Sequence, residues 1–392
     1  MFHKMPIILI LLIIAVLVAD PYLPESLKTI LFAASLTIKS AIIFVLPFII
    51  FSLLLKTMVG LASRATLVIG MILLCVIFSN TLSTFLSHYV GSWVYHFDMS
   101  LISPADANGL LPAWTWQFPK WIANDKAMFA GILSGMILGK FTPKFAARLS
   151  IRLDRVVDKL LFAIVCLIPL FVIGFVVKLA SDGVLHTIIA DYARILAVIA
   201  LAQYGYISLV YLLLNRGHLR RTWNAMANIL PAMITGFSTM SSAAAMPLTI
   251  TGAEANAKHK DLAGATIPAT VNIHLIGDCF AIPIFAYAVM KSFAMPEPTL
   301  AAYLVFLFYF VIAKFSVAAV PGGGIIVMLP VLENYLGFNT QMLSLMTALY
   351  VLFDPVVTSA NVFGNGAFSL MIDKLAGIWD KTKCARVEAQ GC

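Results

Sequence analysis

Six long apolar runs, at about 6–19, 29–55, 66–95, 123–139, 160–180 and 186–214, follow one another through the first half of this chain. A hydrocarbon layer about 30 Å thick is crossed by roughly 20 apolar residues in helical form, so most of these runs suffice or nearly suffice to span a bilayer. Composition agrees. Hydrophobic residues are 61% of the 392, charged residues 11%, and mean hydropathy is +0.97, whereas soluble domains run near 25% charged. A soluble fold is excluded. The net charge of +8 does not point to nucleic acid, because the basic residues sit in short loops between apolar runs, the distribution of cytoplasmic membrane loops. The five cysteines have no paired spacing, so neither a disulfide framework nor a metal site follows from them.

The run from Ile7 to Ala19 follows Lys4 as a signal-sequence core would. Asp20-Pro21-Tyr22 offers no small-residue cleavage site, however, and more runs follow, so it reads as a retained first helix. Sidedness comes from Lys140, Lys144, Arg148, Arg152, Arg155 and Lys159, read as a dense cytoplasmic loop between the fourth and fifth spans. Counting spans in both directions puts Lys4, the 56–64 loop and Arg216 to Arg221 on that same side. Both termini are then cytoplasmic, in a membrane of the bacterial inner type. The 96–122 connection falls outside, its Trp114, Trp116 and Trp121 reading as interfacial anchors.

After residue 221 the pattern changes. Segments 224–252 and 299–337 are apolar at both ends but broken centrally, by the Ser- and Ala-rich stretch Ser238 to Pro247 and by Val320-Pro-Gly-Gly-Gly324. Irregular backbone at membrane depth persists only where protein or a water-filled cavity surrounds it, so the two segments read as re-entrant hairpins. One enters from the cytoplasm and the other, after a full span at 262–293, from outside. This is an inverted repeat, and paired interrupted segments point to a carrier's binding site.

Asp354, Thr358, Asn361 and Asn365 then recur at spacings of four, three and four in a strongly apolar helix, so at about 100° per residue they share one narrow face. A carboxylate at bilayer depth costs about 2.5–3.5 kcal/mol on insertion scales, and such a stripe faces a cavity where something polar binds. Tyr350, a turn earlier, reads as packing.

These residues resemble the dicarboxylate/amino acid:cation symporter family, the glutamate and neutral amino acid transporters. Phe237 to Pro247 is similar to that family's serine-rich hairpin tip, Val320 to Gly324 to its second tip, Ala269-Thr-Val-Asn272 to the start of its A-T-I-N-M-D-G-T motif, and Thr358-Ser-Ala-Asn361-Val to its last-helix motif. The resemblance implies an all-α polytopic fold of eight transmembrane helices plus two re-entrant hairpins, assembled as a homotrimer working by an elevator movement. Scaffold helices would occupy 1–65 and 123–182, the mobile domain 66–95 and 183–378, an extracellular loop 96–122 and a cytoplasmic tail 379–392.

The resemblance also assigns roles. Asp354 would hold a substrate ammonium and Asn361 its α-carboxylate, with Ser241, Ser242, Thr358 and the Val320-Pro321-Gly322 tip lining the site. Acidic-substrate members carry an arginine at the positions of Val357 or Met240, and without it a second substrate carboxylate would be buried unpaired. A neutral amino acid is therefore the expected substrate. The alternatives are an acidic-substrate symporter in which Lys314 supplies the charge and, from another class, a channel or membrane receptor. No enzyme motif such as HExxH or GxSxG is present.

Coupling is where the chain departs furthest. Asn272-Ile273-His274 stands for the family's N-M-D, Asn365 for its last-helix aspartate, and Lys314 lies close to positions whose carbonyls hold a further sodium. Imidazole and carboxamide are poorer ligands for a hard cation than carboxylates. No cofactor is expected, and the coupling ion is H⁺ or Na⁺, with protons or simple exchange favoured. His274 has two readings, a packed core residue or a coupling group that relays protons with Asp278 four residues on. Lys314 likewise either enters the core or reaches back to the outer surface.

Overall fold

The computed structural model describes residues 11–12, 14–16, 18–63, 67–97, 110–119, 121–122, 124–181, 185–317 and 322–390. Among them the chain is built from helices without strands: α1 (Glu25–Ser63), α2 (Leu67–His96), α3 (Asn124–Phe141), α4 (Pro143–Ser181), α5 (Leu185–Leu214), α6 (Leu219–Thr239), α7 (Ser242–Asn256), α8 (Lys260–Thr270), α9 (Ile276–Ser292), α10 (Leu300–Lys314), α11 (Gly323–Leu336) and α12 (Thr340–Gln390). Five stretches of the described residues are long and apolar enough to cross a bilayer: Glu25–Lys56, Gly70–His96, Pro143–Lys178, Tyr192–Leu214 and Thr340–Gly377. The protein is an integral, multi-pass membrane protein. Large apolar side chains such as Leu74, Phe78, Leu201, Leu209 and Leu213 stay exposed on its outer surface, which hydrocarbon tolerates and water would not.

The helices fall into two packing groups. In the first, α1 lies against α3 and α4. Gly131 and Gly135 on α3 make this possible, since a Cβ on either would stand within 3 Å of α1, against the Phe51 carbonyl and the Leu55 carbonyl and Met58 side chain. Small residues spaced by four let two helix backbones approach in a membrane. The 110–122 segment is fastened to the same helix: Trp114 Nε1 donates to Thr37 Oγ1 (2.9 Å), Trp121 Nε1 to the Phe44 carbonyl (2.6 Å) and the Phe118 N–H to Ser40 Oγ (2.7 Å). The tryptophans keep partly exposed rings, but their polar ends bond protein.

The second group is centred on α9 and α12, around which α2, α5, α6, α7, α8, α10 and α11 pack. The two interrupted segments each fold into a helix pair, α6 on α7 and α10 on α11. Met240, in the left-handed region at φ 51°, turns the chain at the first break, and Ser241 Oγ caps α7 by accepting from the Ala244 N–H (3.3 Å). Thr299 caps α10 in the same way (3.3 Å), and Asn339 Oδ1 accepts from the Gln341 and Met342 N–H groups at the start of α12. At the opposite end of the group, Asp373 of α12 accepts from the Lys258 and His259 N–H groups and from the His259 ring at the entry to α8.

Two expectations are corrected. The residues from Lys144 to Lys159 are no loop but the first half of α4, one helix of 39 residues; Pro143 suits the first position of a helix, and no breaker follows until Pro169 lies within it. The span at 262–293 is not one helix either: it breaks between α8 and α9, over Val271 to Leu275. Asn80 of α2 sustains that break, its Nδ2 donating to the Ile273 carbonyl (2.7 Å) and its Oδ1 accepting from the Leu275 N–H (3.3 Å). Backbone groups freed in hydrocarbon need such a partner. Asn80→Ala therefore leaves two buried backbone groups unpaired, at about 1–3 kcal/mol each, and the detergent-solubilised variant is expected to melt several degrees below the wild type in a thermal-unfolding assay, while Asn80→Ala in a chain whose break is not bonded this way would melt unchanged.

Candidate substrate and coupling site

The three breaks meet. The Met240 turn, the 271–275 stretch and residues on either side of the second pair's tip meet at a half-open cavity of about 20 Å³, room for one water, lined by Met240, Ser242, Val271, Asn272, Leu275, Asp278, Val317, Gly324, Tyr350, Asp354, Thr358 and Asn361. Seven of the sequence candidates or their neighbours in motif are here: Ser242, Asn272, Asp278, Gly324, Asp354, Thr358 and Asn361.

Asp354 is buried, with Oδ2 accepting from the Gly322 N–H (2.7 Å) and Oδ1 from the Thr358 hydroxyl (2.9 Å). Gly322 has φ 72°, a left-handed conformation that glycine adopts without strain, and this turns its N–H onto the carboxylate. Two residues on, a Cβ on Gly324 would stand 2.4 Å from the Tyr350 hydroxyl and 2.8 Å from Asp278 Oδ2. The tip of the second pair thus rests on two carboxylates, Asp354 and Asp278. Asn361 Oδ1 accepts from the Asp278 N–H (3.4 Å) at the start of α9.

Lys314 enters the core. Its side chain has no exposed surface, Nζ lies 3.0 Å from Asp278 Oδ2 and 4.5 Å from the Phe310 ring centroid, and it is not among the residues lining the cavity. The other Asp278 oxygen accepts from the Tyr350 hydroxyl. Tyr350, read from the sequence as packing, is therefore a polar member of the site.

The relay expected between His274 and Asp278 is not formed. His274 belongs to the break and precedes α9, so the pair does not share a helix face; the imidazole bonds Ser79 Oγ of α2 (2.9 Å) and Asn365 Oδ1 (3.3 Å), while Asp278 turns to Lys314. Asn365 Oδ1 also accepts from Thr270 (3.4 Å), and Asn365 Nδ2 meets no acceptor among the described residues. The oxygens that the family resemblance would offer to sodium at this point are hydrogen-bonded to one another and to an imidazole.

Ser241 spends its hydroxyl as a helix cap and does not line the cavity. Val357 is wholly buried, its backbone packs against Gly277 of α9, and it does not line the cavity. Val320 and Pro321 lie outside the described residues. Sequence reasoning missed the half-buried Ser79 and the buried Asn80, which begin a polar face of α2 continued by the buried Ser83, Thr84, Ser87 and His88. Their spacing of three and four was the available signal.

A cavity formed where broken helices meet inside a multi-pass bundle, with carboxylate, hydroxyl and carboxamide groups turned into it, defines a membrane transporter of the secondary type. A family comparison matches residues 126–375, well over half of the chain, to the sodium:dicarboxylate symporter family, and the chain belongs to that family. Among curated proteins none matches it.

The buried pair makes a stability prediction. Lys314→Met strands the Asp278 carboxylate in a dry site and is expected to destabilise by about 3–5 kcal/mol, whereas Lys314→Met with Asp278→Leu removes both charges and recovers most of that loss. Thermal melts of the two purified variants check it; equal loss in both would show that the pair contributes nothing specific.

Proposed function

We propose that the protein is a secondary carrier of neutral amino acids, moving its substrate by an elevator-like displacement of the α2 and α5–α12 group against the α1, α3 and α4 group, within a homotrimer of eight spans and two re-entrant hairpins. The observation that carries the substrate class is the cavity lining, in which, among the described residues, the charged groups are two carboxylates, Asp278 and Asp354, with no arginine. A zwitterion entering such a site needs an anion for its ammonium and neutral donors for its carboxylate, or its desolvation is uncompensated. Asp354 supplies the first; Asn361, Thr358 and Ser242 the second. Since the cavity has room for one water, substrate enters as the α10–α11 pair lifts, and its ammonium takes the place of the Gly322 N–H on Asp354.

The acidic-substrate alternative required Lys314 to meet a second substrate carboxylate. That ammonium is engaged by Asp278 behind the cavity wall, which weighs against it. Energy coupling follows the same logic. Lys314 places a tethered cation beside Asp278, and the His274 imidazole fills the space between Ser79 and Asn365. Both arrangements support a cycle that runs on protons or on substrate exchange rather than on sodium.

Uptake into proteoliposomes tests this reading. Neutral amino acids are expected to compete with a labelled neutral substrate and dicarboxylates are not, and replacing Na⁺ by choline is expected to leave uptake unchanged. Asp354→Asn should lower uptake at least tenfold, in keeping with roughly 1.5–3 kcal/mol for a hydrogen bond to a charged group, with the protein still folded and inserted. Strong inhibition by succinate or glutamate, or steep sodium dependence of binding, would overturn it.

A further inference from the structure

Two carboxylates line the cavity, yet the neutral-substrate reading uses only one. Asp354 faces the Gly322 N–H and Asp278 faces Gly324, two residues further along the same tip. Both acids thus meet the same short stretch of chain and line the same cavity, which puts both within the reach of one bound molecule. The second acid is occupied from within the protein: the Lys314 ammonium sits 3.0 Å from Asp278 Oδ2, reaching it from α10, with the Phe310 face 4.5 Å away and the Tyr350 hydroxyl on the other oxygen. Carboxylate, aromatic face and phenol together are a site built to hold an alkylammonium group.

We propose, building on the carrier reading above, that Lys314 is a specificity-determining residue: its ammonium occupies an alkylammonium subsite at Asp278, Phe310 and Tyr350 and thereby excludes diamino acids from a cavity whose two carboxylates would otherwise select them. With the lysine in place, a second ammonium entering the cavity finds no unpaired anion and is repelled by a buried positive charge. Shortening the lysine to alanine frees both the volume of an aminopropyl group and the Asp278 carboxylate. A substrate with its α-ammonium on Asp354 can then lay its side-chain ammonium where Nζ was. Specificity in this scheme comes from the charge that opposes the wrong substrate as much as from the contacts that favour the right one.

The test is competition for uptake of a labelled neutral amino acid by 2,4-diaminobutyrate, ornithine and lysine in proteoliposomes of the full chain. In the wild type these are expected to compete at least a hundredfold more weakly than neutral amino acids of equal length. In Lys314→Ala their competition should strengthen at least tenfold relative to norleucine, and Asp278→Asn in that background should abolish the gain. Should Lys314→Ala be too unstable for transport, thermal melts of the purified variant serve instead: lysine or ornithine should raise its melting point where norleucine does not. A variant that takes up neutral amino acids without gaining diamino acids, a gain that survives Asp278→Asn, or melts indifferent to the added ammonium would each overturn the proposal. A wild type that binds no neutral amino acid would instead overturn the carrier reading on which it rests.

Discussion

Wherever a helix stops inside a bilayer, its freed N–H and C=O groups have no water to turn to, and each must find a partner in the protein. The arrangement of this molecule follows from that requirement. The break before α9 is held by the Asn80 carboxamide from α2, the tip before α11 by the Asp354 carboxylate from α12, and the turn before α7 by its own Ser241 hydroxyl. The first two partners come from other helices, so the breaks fix which helices must be neighbours. Of these three groups Asp354 also walls the cavity, so at the second tip the partner of the backbone and the site are one construction.

Charge is distributed with the same economy of partners. Asp278 carries three contacts, from Lys314, Tyr350 and, through its N–H, Asn361; Asp354 carries two. Buried ions are tolerable only with partners of this kind, and loss of one member leaves the other uncompensated. The pairing also joins two elements that the proposed lifting of the α10–α11 pair would separate, since Lys314 lies on α10 and Asp278 on α9. On the proposed reading, lifting the α10–α11 pair would break that ion pair and the Gly322–Asp354 bond together, and a substrate ammonium would offset only the second loss.

Much of the fold was legible because hydrophobic periodicity and helix breakers act locally. The apolar runs, the two interrupted segments and the stripe from Asp354 to Asn365 could be read from spacing. What escaped was set by pairing between distant segments. Pro268 is the local hint that the helix near Val271 ends, but the residue that sustains the break, Asn80, lies some 190 positions away. His274 and Asp278 looked like a relay only while their helix was taken as continuous, and Tyr350 looked like packing because its partner, Asp278, belongs to another helix. Lys314 was ambiguous for the same reason: a lysine near the end of an apolar run reaches water or a buried acid depending on where that acid is. The dense basic stretch after Lys140 read as a loop on charge alone, though its residues are good helix formers and extend α4.

One length has a mechanical meaning. The helix α12 runs unbroken from Thr340 to Gln390, about 76 Å at the usual rise, and carries Asp354 and Asp373 roughly 28 Å apart on the same rod. Asp354 grips the tip of the second helix pair; Asp373 grips the backbone where the first pair hands over to α8. A rod keeps its marks at a fixed spacing. The two pairs are thereby tied to a common ruler, and the holds on them stay a fixed distance apart along it.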